Sequence, residues 1–451
     1  MGKLFGTDGV RGVANSELTP ELAYELGKAG AYVLSERSNH EKTTIVIGRD
    51  TRISGHLLED ALCSGILSVG GNVKKVGVIT TPGIAFLVNK EGATAGVVIS
   101  ASHNPFEYNG IKFFNSKGFK LDDSIEEEIE DIILNKKSMG EPLTGEDLGR
   151  EIDCTKEDME AYTSFLENSI NTDISDMKIV LDCANGAAYE AAAIVYKELG
   201  ADVTLIGNEP DGININNKVG STHPEKLQEK VKEVGADIGL AFDGDADRLI
   251  AVDENGELVD GDQIIYICAK QMKKEKRLKN DLVTTTVMSN IGLGMALERE
   301  NIKLQQSVVG DRYVLEMMQQ TDSIIGGEQS GHIIFLDKNT TGDGIFASLQ
   351  LLEAYKLSGK KLSDLAKEVT IYPQILINAK VKNENKQAYK DDPEITGLIK
   401  EMEDKMAGRG RVLIRPSGTE PLVRVMLEGD DYEAMKSMAT ELAESITRKL
   451  G

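Results

Sequence analysis

Ala95-Gly96-Val97-Val98-Ile99-Ser100-Ala101-Ser102-His103-Asn104-Pro105 joins an apolar run to a polar turn. A short run that is apolar throughout is typical of a buried strand, and the turn after it presents its side chains at the strand's end. Two more apolar runs end in this way, in Asp243-Gly244-Asp245-Ala246-Asp247-Arg248 and in Gly327-Glu328-Gln329-Ser330-Gly331-His332. The first loop offers a nucleophilic hydroxyl, the second carboxylates for a metal ion, and the third hydrogen-bonding groups for a polyol. Together they indicate an enzyme for phosphorylated sugars.

The same order of elements surrounds each loop. A β-rich strand is followed by a helix-like stretch, a second strand, a second helix-like stretch and the strand that enters the loop. The three copies begin at Thr44, Lys178 and Leu282. Strands that alternate with helices predict βαβ units, and ligands of such sheets bind beyond the carboxyl ends of the strands. We therefore predict three similar α/β domains with mixed sheets in tandem, whose loops converge on one cleft.

The pattern changes near residue 371. Gln374 to Val381, Gly410 to Ile414 and Pro421 to Leu427 are predicted strands, and Tyr432 to Leu450 has apolar residues at helical spacing. Strands followed by a helix predict a small α+β domain. The predicted domains carry the Ser102 loop, the Asp243 loop, the Glu328 loop and a candidate phosphate-binding loop, in that order. Their expected bounds are residues 1–152, 153–255, 256–370 and 371–451.

The composition narrows the classes of function. A chain of 451 residues is too long for one core and predicts three or four domains. Its formal charge of −23 argues against nucleic acid or an anionic membrane as the main partner. No apolar run approaches the ~20 residues that span a bilayer, and the first residues lack the apolar centre of a signal peptide. The four cysteines have no pair spacing, so we expect a cytoplasmic protein without a zinc site or disulfides.

A phosphorylated substrate must overcome the repulsive average charge, so cations have to be concentrated locally. The candidates lie in glycine-rich or turn-like segments: Arg11, Lys112, Arg248, Arg312, Arg415 and Arg424. Most of the remaining lysines and arginines are expected to be solvated surface.

Asp243, Asp245 and Asp247 are the candidate metal ligands. In a turn, alternate carboxylates can face one point, and three carboxylates without His or Cys favour Mg²⁺ over Ca²⁺ or Zn²⁺. An EF-hand is a poor alternative, because the sixth position, which requires Gly, is Arg248. A solvated acidic turn fits the triad alone about as well as a metal site does. The apolar strands on both sides favour the metal site.

Ser102 is the candidate nucleophile. A serine hydroxyl needs a base, a metal or prior phosphorylation to act, and His103 and Lys112 are the nearby groups for proton transfer and charge. Taken alone, Ser102 would more often cap a turn. The metal loop reverses that preference.

Four further segments offer groups for a phosphorylated sugar, and the first two could also be ordinary polar turns. Glu328, Ser330 and His332 lie between glycines and suit sugar hydroxyls. The segment from Arg415 to Pro421 supplies one guanidinium, two hydroxyls and a glycine, which suits a phosphate. The remaining candidates are Arg11, in the glycine-flanked N-terminal segment, and two adjacent residues of the third domain, Asp311 and Arg312.

Five motifs, in this order and spacing, resemble those of the α-D-phosphohexomutases: the segment from Gly6 to Gly12 and the Ser102, Asp243, Glu328 and Arg415 loops. The resemblance covers essentially the whole chain. It implies four domains around a central cleft, with the fourth closing over the ligand. It implies that Ser102 is carried as phosphoserine, and that one Mg²⁺ per chain is held by Asp243, Asp245, Asp247 and a phosphate oxygen on Ser102. Lys112 and Arg248 would flank the transferring group. The residues implied for the phosphate that does not react are Arg415, Ser417, Gly418 and Thr419.

Gln329 and the opening segment from Phe5 to Gly12 resemble the branch of this family that acts on glucosamine phosphates. The implied reaction interconverts the 6- and 1-phosphates through a hexose 1,6-bisphosphate, which is also the activator, and supplies UDP-N-acetylglucosamine synthesis. The resemblance also implies a homodimer. The alternatives are a family member for mannose or glucose phosphates, a Mg²⁺-dependent sugar phosphatase with Asp243 as nucleophile, and a non-catalytic phosphosugar or Ca²⁺ sensor.

Overall fold

The structure is a computed structural model that describes residues 4–6, 8–37, 43–406, 408–417 and 420–451. The chain divides into two compact units, residues 1–288 with 302–367 and residues 289–301 with 368–451. In the described part of the chain, no helix combines the length and the apolarity needed to cross a bilayer.

The first sheet lies in the first unit and has the order β1-β5-β4-β2-β3-β6. β2 pairs in parallel with β3 and β4, whereas β5 runs antiparallel to β4. Its strands are β1 (Val10–Val13), β2 (Thr44–Arg49), β3 (Asn72–Val78), β4 (Ala95–Ile99), β5 (Tyr108–Asn115) and β6 (Glu151–Asp153). The accompanying helices are α1 (Pro20–Arg37), α2 (Gly55–Ser68), α3 (Thr81–Glu91), α4 (Asp123–Asn135) and α5 (Thr155–Glu167).

The second sheet, also in the first unit, has the order β11-β10-β9-β7-β8. β7 is parallel to β8 and β9, and β10 is antiparallel to β9. Its strands are β7 (Lys178–Asp182), β8 (Asp202–Ile206), β9 (Ile238–Phe242), β10 (Leu249–Val252) and β11 (Leu258–Val259). The helices that follow α5 are α6 (Ala188–Glu198), α7 (Glu225–Val234) and α8 (Gly261–Lys274).

The third sheet of the first unit has the order β13-β12-β14-β15. β12 is parallel to β13 and β14, and β15 is antiparallel to β14. Its strands are β12 (Leu282–Thr286), β13 (Lys303–Ser307), β14 (Ile325–Gly327) and β15 (Ile333–Phe335). The helices are α9 (Ile291–Arg299), which belongs to the second unit, then α10 (Asp311–Thr321), α11 (Gly344–Ser358) and α12 (Leu362–Ala366).

The three sheets share one topology. In each repeat, the first strand (β2, β7 or β12) is flanked in parallel by the second (β3, β8 or β13) and the third (β4, β9 or β14). The next strand (β5, β10 or β15) runs antiparallel beside the third. The three loops singled out in the sequence are the same connection in each copy: from β4 to β5, from β9 to β10, and from β14 to β15. The predicted mixed-sheet repeat is therefore confirmed, and with it the equivalent placement of the loops.

Aromatic side chains hold helices of the first unit together. Phe165 of α5 stacks on Phe86 of α3 at 4.5 Å between ring centroids and on Phe346 of α11 at 5.8 Å. Stacked rings of this kind add to the free energy gained by burying the same apolar area. This stack ties helices of the first and third repeats to α5.

The second unit contains a three-stranded antiparallel sheet of order β16-β18-β17. Its elements are β16 (Gln374–Lys380), α13 (Pro393–Met406), β17 (Gly410–Pro416), β18 (Leu422–Gly429) and α14 (Tyr432–Leu450), with α9 from earlier in the chain. The predicted α+β character is confirmed, although α13 was not expected. The exact domain boundaries at residues 152, 255 and 370 stay predictions.

Candidate active site

Ser102 lies in the turn that joins β4 to β5. Its φ of +50° is in the left-handed region, and its N–H donates to the Ser100 hydroxyl at 3.0 Å. The Ser102 hydroxyl donates to Asp243 Oδ2 at 2.8 Å and lies 3.2 Å from His103 Nδ1. The predicted meeting of the Ser102 loop with the aspartate loop is therefore confirmed at hydrogen-bonding distance.

Two fully buried side chains hold the Ser102 loop from behind. Asp50 accepts hydrogen bonds from Arg52 Nε at 2.8 Å and from the Ser100 hydroxyl at 2.6 Å. Arg52 also donates to the backbone oxygens of Ser102 and Asn104, at 2.9 and 2.8 Å, and to that of Pro105. A guanidinium has five N–H donors in a fixed plane, so it can hydrogen-bond several backbone carbonyl groups of one loop at once.

The aspartate loop leaves β9 and approaches the Ser102 loop closely. A Cβ added at Gly244 would lie 2.4 Å from the Ser102 carbonyl oxygen, so only glycine fits at this point. Asp245 Oδ2 accepts hydrogen bonds from the Thr81 hydroxyl at 2.7 Å and from Lys112 Nζ at 3.1 Å. Thr81 begins α3 and Lys112 lies on β5, so the first repeat supplies both donors.

The loop gathers three carboxylates at one point. Each of Asp243, Asp245 and Asp247 offers an oxygen, and these three oxygens lie within 4.8 Å of one another. Burial, followed by the neighbouring carboxylates, raises the pKa of Asp243 well above its usual value. Burial also raises the pKa of Asp245, but Lys112 and the Thr81 hydroxyl outweigh it, and the net shift is downward.

The donor set fits a divalent metal ion. Asp245 Oδ1 and Asp247 Oδ1 are buried and accept no hydrogen bond. Buried oxygens without a hydrogen-bond donor are costly for the protein alone, and a bound cation would remove that cost. An all-oxygen set of this kind suits a hard cation such as Mg²⁺.

The third loop is joined to the aspartate loop through its backbone. Arg248 and His332 form an isolated antiparallel bridge, and Leu249 N–H donates to the Gly331 oxygen at 2.9 Å. Glu328 accepts from the Gly310 N–H at 3.2 Å, and Ser330 is exposed. His332 Nε2 accepts from the Gly342 N–H at 3.3 Å. All three predicted loops of the first unit are therefore brought together.

The predicted cations of the first unit divide into two groups. Lys112, Arg11 and Arg248 lie around the converged loops: Arg11 pairs with Asp8, and Arg248 Nε lies 3.8 Å from Asp247 Oδ1. Arg312 lies near the start of α10 and pairs with Asp123 and Glu316, while it lines the same cavity as Lys112. Burial, then Arg248, lowers the pKa of His103 to about 4.

The Arg415 loop belongs to the second unit. Arg415 is on β17, opposite Arg424 of β18, and Ser417 is buried with its hydroxyl accepting from Glu420 N–H at 3.1 Å. The other two predicted phosphate-binding residues, Gly418 and Thr419, lie outside the described residues. Lys386 donates to the Ser417 carbonyl oxygen at 2.8 Å. The charged run from Lys382 to Lys390, whose composition predicts a linker and loop rather than a site, therefore brings a cation to this loop.

Several residues of the site were missed at the level of sequence. Asp50 and Arg52 follow directly after β2, at the strand end where ligand-binding groups are expected, and that rule could have found them. Asn216, which donates to the Ser102 oxygen at 2.9 Å, carries no such signal because it lies in a long loop.

Comparison with known proteins gives one family over the chain. Models of the phosphoglucomutase/phosphomannomutase domains I, II, III and C-terminal match residues 2–139, 160–256, 260–372 and 376–445. A protein named phosphoglucosamine mutase from Thermoanaerobacter pseudethanolicus is 58% identical over 450 residues, covering 100% of both chains. Another of that name from Alkaliphilus oremlandii is 56% identical with the same coverage.

Solved structures show the same fold. A phosphoglucomutase/phosphomannomutase family protein from Burkholderia thailandensis superposes with a TM-score of 0.79 at 23% identity, covering 99% of this chain and 97% of its own. An N-acetylphosphoglucosamine mutase from Aspergillus fumigatus, in complex with GlcNAc-6P and magnesium, gives 0.64 at 18% identity, covering 92% and 84%.

Proposed function

The chain belongs to the phosphoglucomutase/phosphomannomutase family, and we propose that it interconverts glucosamine 6-phosphate and glucosamine 1-phosphate. The observation that carries the reaction type is the 2.8 Å hydrogen bond from Ser102 to Asp243, inside a carboxylate triad suited to a metal ion. The choice of glucosamine rests on the full-length relatives named phosphoglucosamine mutase.

In the proposed cycle, Ser102 carries a phosphoryl group. Its P–O bond to Ser102 breaks as the 1-hydroxyl oxygen of glucosamine 6-phosphate forms a new P–O bond, which gives the 1,6-bisphosphate. The proton of that hydroxyl passes to the released Ser102 oxygen. The bisphosphate turns over in the site, and its 6-phosphate returns to Ser102 and leaves glucosamine 1-phosphate. Such transfers require alignment and charge neutralisation more than covalent chemistry.

The residues around Ser102 suit these two tasks. Lys112, whose pKa is raised by Asp245 and Asp8 despite its burial, stays cationic and faces the carboxylates that surround the serine. Arg11, beside Asp8, and Arg248, beside Asp247, add positive charge around the carboxylates. His103 Nδ1, 3.2 Å from the Ser102 hydroxyl, can exchange a proton with the oxygen that receives or releases the phosphoryl group.

Asp243, Asp245, Asp247 and the phosphate on Ser102 would hold one Mg²⁺, which when bound neutralises charge on the transferring group. The groups that would bind the substrate beside Ser102 are Glu328, Ser330, His332, Asp311 and Arg312. Arg415, with Ser417, Gly418 and Thr419, would bind the phosphate that does not react. The fork of a guanidinium suits either end of the sugar phosphate equally, as a two-way mutase requires.

The test compares the purified protein with Ser102→Ala in a coupled assay on glucosamine, mannose and glucose phosphates, with hexose 1,6-bisphosphate as activator. Ser116→Ala, an exposed serine on a turn of the same repeat, is the control. We expect turnover of glucosamine phosphates by the wild type and the control only. The intact mass should show one phosphate on the chain, and peptide mapping should place it on the peptide that contains Ser102.

Three outcomes would contradict the proposal. Turnover that persists in Ser102→Ala would exclude Ser102 as the phosphoryl carrier. Preference for mannose or glucose phosphates would move the chain to another branch of the family. Steady release of inorganic phosphate would indicate a phosphatase.

A further inference from the structure

Lys120 lies outside every motif quoted from the sequence, yet it joins two segments of the site. Its Nζ is 2.7 Å from Asp8 Oδ1, in the N-terminal segment, and 2.7 Å from Asp311 Oδ2, at the start of α10. About a quarter of each of the three side chains is exposed. Burial lowers the pKa of Lys120, but the two carboxylates outweigh it and raise it.

Each of the two carboxylates lies near a side chain that in turn lies near the aspartate loop. Asp8 Oδ2 lies 2.9 Å from Lys112 Nζ, which in turn lies 3.1 Å from Asp245 Oδ2. On the other side, His332 Nε2 lies 3.9 Å from Asp311 Oδ2 and 3.8 Å from Asp247 Oδ2. Because His332 Nε2 accepts from the Gly342 N–H, neither carboxylate is hydrogen-bonded to it. Lys120 is thus the remote member of a ring of groups that returns to the aspartate loop through the ion pair of Lys112 and, more loosely, past His332.

We propose that Lys120 is a positioning residue: by holding Asp8 and Asp311 it sets the direction of Lys112 and His332 toward the metal loop, without contacting the transferring group. This inference rests on the proposed function. A shared cation fixes two carboxylates at once, and groups one step removed from a metal site typically affect activity through such orientation.

Without the Lys120 charge, Asp8 and Asp311 would compete for the remaining cations. Asp8 also pairs with Arg11, so the N-terminal segment has two neighbours between which it can shift. A shift of Asp8 toward Arg11 would draw the carboxylate away from Lys112 and let the Lys112 side chain turn. Displacement of a group such as Lys112 from the reacting atoms lowers kcat more than it weakens substrate binding.

Lys120→Met keeps the aliphatic stem and removes the charge, Lys120→Arg keeps the charge, and Lys117→Met is the matched control. Lys117 is exposed, lies in the same turn, and lines the same cavity of about 290 Å³ as Lys120. We expect Lys120→Met to lower kcat by roughly 10- to 100-fold with little change in KM. Lys120→Arg should restore most of kcat, and Lys117→Met should behave as the wild type.

A second measurement does not depend on activity. In a crystal structure of Lys120→Met, Lys112 Nζ should have left its 3.1 Å position beside Asp245 Oδ2. The melting temperature of each variant shows whether it is folded. Lys120→Met is also made in Asp311→Asn, and this double variant, which lacks one charge of each sign, is compared with Asp311→Asn alone. There the loss from Lys120→Met should be smaller than in the wild-type background, because the two changes break one network.

The outcomes are distinguishable. If the wild type has no mutase activity, the proposed function fails. If the wild type is active and Lys120→Met matches Lys117→Met, the function stands and the inference fails. A rise in KM with kcat unchanged would mean that Lys120 contacts the substrate or acts only through the sugar-binding groups Asp311 and His332, without positioning Lys112. Additive losses in Asp311→Asn would mean that it acts independently of the ring. Either result overturns the positioning role.

Discussion

Nη2 of Arg52 lies 2.9 Å from the carbonyl oxygen of Ser102, and both groups are buried. The same guanidinium reaches Asn104 and Pro105, and Asp50 neutralises it. The backbone of the loop that carries the hydroxyl is therefore fixed by one side chain from the end of β2. A left-handed φ at Ser102 is costly for a residue with a Cβ, and these hydrogen bonds hold it in place.

Arg52→Lys should lower kcat strongly while the protein still folds. A lysine keeps the charge beside Asp50 but cannot donate to three carbonyl oxygens in one plane. The measurement is steady-state kinetics with the melting temperature as a check on folding. Arg49→Lys is the matched control, because Arg49 is on the same segment but pairs with Glu59 at 3.3 Å. Equal kinetics for the two variants would exclude this role of Arg52.

Much of the fold follows from local sequence. The apolar runs that enter the loops are strands that are fully buried, as β4 and β9 show at every position. Their short length and the turn residues that follow them predict them from the sequence. α14 begins at Tyr432 and ends at Leu450, as its apolar spacing predicts. α13 was not predicted, although Ile395 and Met402 are buried, because the charged run from Lys382 to Lys390 just before it indicates a loop.

The site is only partly predictable because its contacts are long-range. Asp243, Asp245 and Asp247 are close together in the chain, and their spacing, with the apolar strands on both sides, predicts a metal loop. The pair of Lys120 and Asp311 joins residues 191 positions apart, and nothing local marks either as a partner of the other. The direction of Arg312 depends on Asp123 of α4, which no motif contains.

Asp247→Asn should weaken Mg²⁺ binding without weakening the metal-free fold. Three carboxylates within 4.8 Å of one another repel when no cation is present, so removal of one charge relieves that repulsion. In EDTA, the variant should melt at or above the wild-type temperature. The rise in melting temperature on adding Mg²⁺ should be smaller than in the wild type, because ligand stabilisation follows affinity.

Asp253→Asn is the control for this prediction. Asp253 is buried at the other end of β10, where it accepts from Asn255 and Glu257 N–H groups that an asparagine oxygen can also satisfy. It should respond to Mg²⁺ as the wild type does. An unchanged Mg²⁺ response in Asp247→Asn would place the metal elsewhere.

Arg415→Ala should raise KM for the sugar phosphate with a smaller effect on folding. A charge-assisted pair between a guanidinium and a phosphate contributes about 1.5–3 kcal/mol, which corresponds to roughly a 10- to 150-fold rise in KM. Arg409→Ala is the control, since Arg409 is exposed in the same unit and pairs with Asp430. Unchanged kinetics in Arg415→Ala would exclude the proposed phosphate-binding role of this loop.

The carboxyl group of Asp343 should make stability fall as the pH rises from about 4 to about 6. It caps α11 by accepting from Phe346 N–H at 3.0 Å, and it accepts from the Tyr162 hydroxyl at 3.0 Å. Burial raises its pKa from 3.8 to about 6 in spite of these hydrogen bonds. The folded protein therefore holds the proton more tightly than the unfolded chain does, and the resulting stabilisation is present below pH 4.

This stabilisation disappears above pH 6, and a shift of about two pKa units corresponds to about 3 kcal/mol at most. Asp343→Asn has no such proton, so the melting temperature of the wild type relative to the variant should decline as the pH rises from 4 to 7. The altered hydrogen bonds of asparagine shift the whole difference by a constant amount and do not change its slope. A difference that stays flat, or that grows with pH, would mean that Asp343 is ionised in the folded protein throughout this range.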